Sequence, residues 1–324
     1  MQERITTRAL VEGALFAAIT ALLALVGIYI PPLQFITNLV WTLPIIILII
    51  RNGTKVGVMA TVVAGLLVFL FSDPVKALLL LLQFGAVGIV FGVLFKNKAS
   101  AGKTLFYGTI VSLISTVISF SFSFAVTGID IVQWKHDLEG SMGSVFEMYK
   151  QLGLMERLKA SGVSEAEIKE MLKSYMEWFQ LLLPAIVVVS SLFSAFINFV
   201  VARMVLRKLN FTVPELPPFR MWRLPWYWIW VFIAGLAVVL LGNYTEISLL
   251  TTIGKNILYI YFPLVVVIGA SVLTFYFKSE NVSPLFKGIA IFLMIINFPL
   301  ALLIILSLGL FDPLLDYRKL LRRT

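Results

Sequence analysis

Residues 55–95 read KVGVMATVVAGLLVFLFSDPVKALLLLLQFGAVGIVFGVLF, two apolar runs parted by Ser72, Asp73 and Pro74. Each run is roughly 20 residues long, the length an α-helix needs to cross about 30 Å of hydrocarbon. A segment in lipid must satisfy its own backbone hydrogen bonds, and the alternation of a barrel strand is absent, so both runs read as helices. Similar runs lie outward of them, at residues 8–30, 33–50, 104–127, 181–206, 226–241, 256–277 and 288–308. The expected fold is all-α: a polytopic membrane protein of about nine transmembrane helices, eight to ten at the limits.

Composition agrees, because 60% of residues are hydrophobic and 13% charged, against about 45–50% and about 25% in soluble domains. The chain has no cysteine and one histidine, His136, which argues against thiolate chemistry and a zinc or haem centre. Residues 1–8 are basic, but the apolar run behind them is longer than a signal-peptide core, so it reads as a retained first span. Arg8, Arg51, Lys55, Lys96, Lys98, Lys103, Arg203, Arg207 and Lys208 fall on one side of the expected topology, which makes that side and the N-terminus cytoplasmic. This dispersal accounts for the net charge of +9 without nucleic-acid binding. One conflict follows: nine crossings would leave the basic tail Arg318, Lys319, Arg322 and Arg323 outside. Pro299, within the last apolar run, points to a broken segment there.

Three regions follow. Residues 1–208 form a six-helix membrane unit, 209–225 a proline-rich cytoplasmic linker, and 226–324 a C-terminal membrane unit with a basic tail. Within the first, residues 128–180 are polar. Val145, Met148, Tyr149, Leu152 and Met155, then Ile168, Met171, Leu172, Tyr175 and Phe179, recur at helical spacing, and Ser164 with Glu167 makes a capping box. An external hairpin of two amphipathic helices is expected, either a lid or a hairpin resting on the membrane surface. Trp222, Trp226, Trp228 and Trp230 beside Arg220 and Arg223 suit an interfacial belt. Residues 97–104, NKASAGKT, resemble a phosphate-binding loop without its first glycine, but they form a turn between two spans rather than a strand-to-helix junction.

Polar residues inside spans are costly unless paired or facing a cavity. Gln34, Asn38 and Thr42 share one face of the second span; Gln83 lies in the fourth, Ser119 and Ser123 in the fifth, and Ser191 and Ser194 in the sixth, with Asn198 deeper. They are candidate ligand-binding residues for an outward-opening, uncharged pocket; the alternative is hydrogen bonding between helices, above all for the ladder Ser112, Ser115, Ser119 and Ser123. No acidic residue lies deep in any span so drawn. Without a nucleophile elbow, a histidine metal motif or paired deep carboxylates, no catalytic residue, metal or cofactor is expected.

Arg8-Ala9-Leu10 leading into an alanine-rich first helix, Ile30-Pro31-Pro32 at its end, the Pro44 span, and Arg51-Asn52-Gly53-Thr54-Lys55-Val56-Gly57 resemble the opening of the S components of energy-coupling-factor transporters. With Gly309-Leu310-Phe311-Asp312 and Asp316-Tyr317-Arg318-Lys319, the chain also resembles, over most of its length, the YybS-like family of bacterial multipass membrane proteins of unassigned function. The S-component likeness implies a bacterial plasma-membrane protein whose first six helices bind a ligand. It makes Ala14, Ala18 and Ala21 a docking stripe for a separate transmembrane coupling subunit with ATPases, and residues 30–34 with the long loop a gate. An S component would end near Lys208, and its loop after span five is shorter. The alternative is a membrane scaffold or accessory subunit of the cell envelope.

Overall fold

The computed structural model describes residues 6–128, 131–154, 156, 164–278 and 283–320. Among these no strand occurs, and nine helices are long and apolar enough to cross a membrane. The start signals are local. Asp73 accepts from the amides of Val75 and Lys76, with Pro74 at the first helical position, and Ser100 Oγ accepts from the Lys103 amide. The loop-like segment 97–104 is therefore a turn and a helix cap, with Lys98 at a φ of 52°.

The helices are α1 (Thr7–Tyr29), α2 (Gln34–Val40), α3 (Leu43–Asn52), α4 (Thr54–Phe71), α5 (Pro74–Leu80), α6 (Ala86–Lys96), α7 (Ala101–Thr127), α8 (Ile131–Gln151), α9 (Glu165–Lys208), α10 (Ile229–Tyr244), α11 (Ser248–Phe277), α12 (Pro284–Ile296), α13 (Phe298–Leu315) and α14 (Tyr317–Leu320). Two expected spans need correction. The span drawn from residue 256 begins at Ser248, with only a short turn after α10. The run drawn as one helix over 288–308 is two helices, because Pro299 has no amide to donate and the Asn297 side chain caps a fresh start by accepting from the Leu300 amide at 3.2 Å.

The chain divides into two units: Met1–Met176 with Ser190–Glu215, and Glu177–Val189 with Leu216–Thr324. In the first, Ala17, Ala21 and Ala24 of α1 are buried in one core with Val56, Ala60 and Ala64 of α4, small residues on both sides allowing close approach. Glu12 ties the start of α1 to the α3–α4 turn, accepting from Asn52 Nδ2 at 2.7 Å and Arg51 Nη2 at 3.1 Å. The expected hairpin has its capping box, Ser164 and Glu167 bonding reciprocally. Its two helices meet through Phe146 and Ile168, with Tyr149 and Leu172 against them, whereas Met148 and Leu152 are exposed. Met155 and the side chain of His136 lie outside the described residues.

In the second unit, α10 and α11 form an antiparallel hairpin, with Gly242 against Thr251 and Gly254 against Val239. Gly269 of α11 and Gly309 of α13 then leave no room for a Cβ, each facing a carbonyl of the other helix. Seven residues after Gly269 the Tyr276 hydroxyl donates to the Tyr317 carbonyl at 2.8 Å, so α11 and α13 run parallel. Parallel neighbours need a return path, and α12 supplies it with about 20 Å of helix. This also removes the conflict over the tail. Arg318 Nη2 donates to the Trp222 carbonyl at 2.8 Å, so Arg318 lies at the same end of its unit as residues 219–223. Arg322 and Arg323 lie outside the described residues.

Candidate functional site

The buried polar groups of the first unit begin where the second span is interrupted. Pro44 cannot donate to the preceding turn, so α2 ends at Val40 and α3 starts at Leu43, with Trp41 and Thr42 buried between them. Thr42 Oγ1 donates to Asn198 Oδ1 of α9 at 2.8 Å, and Asn198 Nδ2 donates to the Ser194 carbonyl at 2.9 Å. Trp41 stacks obliquely on Phe84, ring centroids 5.7 Å apart. Phe84 belongs to a π-helical turn, Leu81–Gly85, that joins α5 to α6 and carries Gln83. Such turns insert one residue into the α-helical ladder and recur at functional sites. Gly88, one turn on, lies against Thr42, and Gly108 of α7 lies against Phe91, which brings α3, α6 and α7 together.

Four buried polar atoms in this unit have no hydrogen-bond partner: Trp41 Nε1, Ser112 Oγ, Ser119 Oγ and Ser191 Oγ. In hydrocarbon, water is absent and an unbonded hydroxyl or indole N–H is costly. The four are neutral, one indole N–H and three hydroxyls. The other expected residues are placed differently. Gln34 is exposed, while Asn38, Gln83, Ser123 and Ser194 are half-buried; the carbonyls of Ser123 and Ser194 accept helix-local bonds. Thr37, not Asn38, is the residue of α2 turned onto α1, against Gly27. On α1, Ala21 is buried, whereas Ala14 and Ala18 are exposed beside Leu15 and Leu22.

Two further polar clusters, both in the second unit, are not foreseen by the sequence reading. Pro184 interrupts α9, and Asn256 of α11 bridges the gap: Nδ2 donates to the Leu181 carbonyl and Oδ1 accepts from the Ala185 amide, both at 2.9 Å. A neighbouring side chain thus replaces the missing rung of the ladder. The second cluster contains a buried carboxylate near the end of a span that runs longer than expected. Helix α13 continues past residue 308 to Leu315, and Asp312 is buried within it. Arg318, 1% exposed, stands with Nη2 3.7 Å from Asp312 Oδ2 and donates to Ser271 Oγ at 3.0 Å. Burial lowers the Arg318 pKa from the usual guanidinium value, and the Asp312 charge opposes that shift. A proline inside an apolar run is the sequence signal for the first cluster; the second follows only from the later end of α13. Among the described residues no group of three or more His, Asp or Glu side chains is placed to hold a metal ion.

Comparison with known proteins gives one full-length relative and no structural counterpart. The chain is 26% identical over 312 residues to the uncharacterized protein YybS of Bacillus subtilis (strain 168), covering 94% of this chain and 96% of that protein. No solved structure matches significantly. The model of a family of predicted membrane proteins, DUF2232, matches residues 18–313. This integral membrane protein therefore belongs to the DUF2232 family.

Proposed function

We propose that the chain is the ligand-binding component of a bacterial plasma-membrane transport system, with a likeness to energy-coupling-factor S components in its first unit and no catalytic activity of its own. The observation that supports this reading is the set of buried polar atoms without partners, Trp41 Nε1 at the break between α2 and α3, the hydroxyls of Ser112 and Ser119 on α7, and that of Ser191 on α9. Groups that serve only to join helices find partners, as Thr42 and Asn198 do. Groups left over inside a membrane protein are those a bound molecule can satisfy. The absence of charge in the set selects an uncharged or weakly polar ligand carrying acceptors. Ala14 and Ala18, exposed on α1, are the proposed face for a coupling subunit with ATPases. The N-terminus is proposed to be cytoplasmic, from the basic loops.

Gentle purification from native membranes, with mass spectrometry of small molecules and of proteins, tests the reading. A recurrent small molecule lost on Ser191→Ala supports it; a stable protein partner and no small molecule moves the assignment to a scaffold or accessory subunit. Orientation is tested separately with single cysteines at positions 51, 98 and 207, none of which should react with an impermeant external reagent.

A further inference from the structure

The C-terminal cluster is more than a structural tie, because its hydrogen-bonding capacity is not used up. Asp316 Oδ2 accepts from Arg223 Nη1 at 3.2 Å and lies 3.1 Å from Lys319 Nζ, serving as internal counter-ion to both. Behind it Arg318 spends only Nη2, on the Trp222 carbonyl and Ser271; its Nε and Nη1 are buried and have no partner. Asp312 Oδ1 and Asp316 Oδ1 are likewise buried and unspent. Three cations, Arg223, Arg318 and Lys319, thus face two carboxylates, Asp312 and Asp316, and one positive charge is in excess. The side chains of Arg223 and Lys319 are 40% and 74% exposed, which leaves the mouth of the cluster open. Beyond Arg223 stand the exposed rings of Trp226 and Tyr227, residue types that settle at the headgroup level of a bilayer.

We propose that this end of the second unit binds a phosphate-bearing anion, with Arg223 and Lys319 as the outer contacts and the unspent donors of Arg318 at the base. A guanidinium that has lost its solvent and kept free N–H groups favours an oxyanion, and phosphate matches its donor geometry. The two spare carboxylate oxygens add a requirement: the ligand carries O–H donors as well, as a protonated phosphate or a glycerol headgroup does. Binding exchanges Asp316 for the incoming anion on Arg223 and Lys319. The source is either the headgroup of an anionic lipid or free phosphate, and both present this chemistry.

The test uses the full chain in nanodiscs of phosphatidylcholine, alone, with added phosphatidylglycerol, or with inorganic phosphate in the buffer, reading the thermal unfolding midpoint. A ligand that binds only the folded state raises that midpoint. Phosphatidylglycerol should raise it for the wild type and for a control, Lys96→Gln with Lys98→Gln, which removes the same charge elsewhere. Arg223→Gln with Lys319→Gln should lose more than half of the rise. These two exposed positions can be changed without emptying the core, and Arg318→Lys, which keeps the charge but not the fork, should reduce the rise as well. A rise with inorganic phosphate that the double variant loses identifies free phosphate as the source; a rise with the lipid alone identifies the headgroup. An equal rise in the double variant and the control, or no rise with either probe, overturns the proposal.

Discussion

Among the described residues, the buried polar atoms left without a partner are neutral in the first unit and, but for the Tyr261 hydroxyl, belong to charged groups in the second. In the second, Asn256 makes three hydrogen bonds, to Leu181, Ala185 and Thr252, and each mends a backbone or anchors a helix. Its buried charged pair, Asp312 and Arg318, is tied to Ser271 and the Trp222 carbonyl. In the first, the buried polar groups are neutral, and beside the tie of Thr42 to Asn198 four polar atoms among the described residues stay unspent. Thr42, Asn198 and Asn256 thus hold helices together through bonds that are made, whereas Arg318, Asp312, Trp41 and the serines keep atoms spare for another use. The contrast predicts how each group responds to removal.

The largest effect is expected at Arg318. Truncation to alanine strands the Asp312 carboxylate in a buried site, and breaking a buried ion pair in this way costs ~3–5 kcal/mol. Arg318→Ala should lower the unfolding midpoint in detergent further than any other single change considered. Replacing both partners, Arg318→Met with Asp312→Leu, should recover most of that loss, because an apolar pair of similar volume needs no compensating charge. Equal losses in the single and double variants would mean that the pair is not the reason for the stability.

Next comes Asn256. Asn256→Leu leaves the Leu181 carbonyl and the Ala185 amide without partners beside Pro184, a cost of roughly 1–3 kcal/mol. Adding Pro184→Ala should restore the regular ladder and return part of the stability. If Pro184→Ala gives no rescue, Asn256 acts through packing and not as a substitute rung.

These two sites mark where the sequence is legible and where it is not. Helix positions follow from apolar run length and local punctuation, so Asp73, Ser100 and the pair Ser164 and Glu167 cap helices where the sequence places them. The break at Asn297 and Pro299 is visible as a proline, but its consequence, a short return helix that aligns α13 parallel to α11, depends on which neighbour supplies packing at Gly269 and Gly309. Asp312 was hidden for the same reason, since a span ended at residue 308 leaves it in a tail. In the hairpin, helical spacing indicates a helix but not which face is covered: Phe146 is buried while Met148 and Leu152 are exposed. Among the polar residues of the first unit, depth along a helix was readable, and pairing was not. Thr42 and Asn198 are 156 positions apart.

That long-range pair gives the third prediction. Thr42→Val and Asn198→Leu each remove one side of an interhelical bond, and such bonds within membranes are worth about 0.6–2 kcal/mol. A double-mutant cycle should return a coupling energy in this range, smaller than the effect of Asn256→Leu. A coupling of zero would make Thr42 available as a pocket residue and remove the distinction between it and the unspent serines.

The smallest effect on stability, and the most informative, is expected at the unspent atoms themselves. Ser119→Ala and Ser191→Ala each delete a buried hydroxyl that bonds to nothing, so nothing is left unpaired by the change, and Trp41→Phe does the same for an indole N–H. Each substitution should move the folding free energy by less than about 0.5 kcal/mol, and the loss of a desolvated polar group can make the change stabilising. Ligand retention should behave otherwise, because a hydrogen bond made only to a bound molecule is lost entirely with its donor. The expected pattern is an unchanged unfolding midpoint for the ligand-free variants together with reduced recovery of the copurifying small molecule. If the variants instead unfold well below the wild type, these serines are bonded within the protein, and the ligand-binding reading loses the observation that supports it.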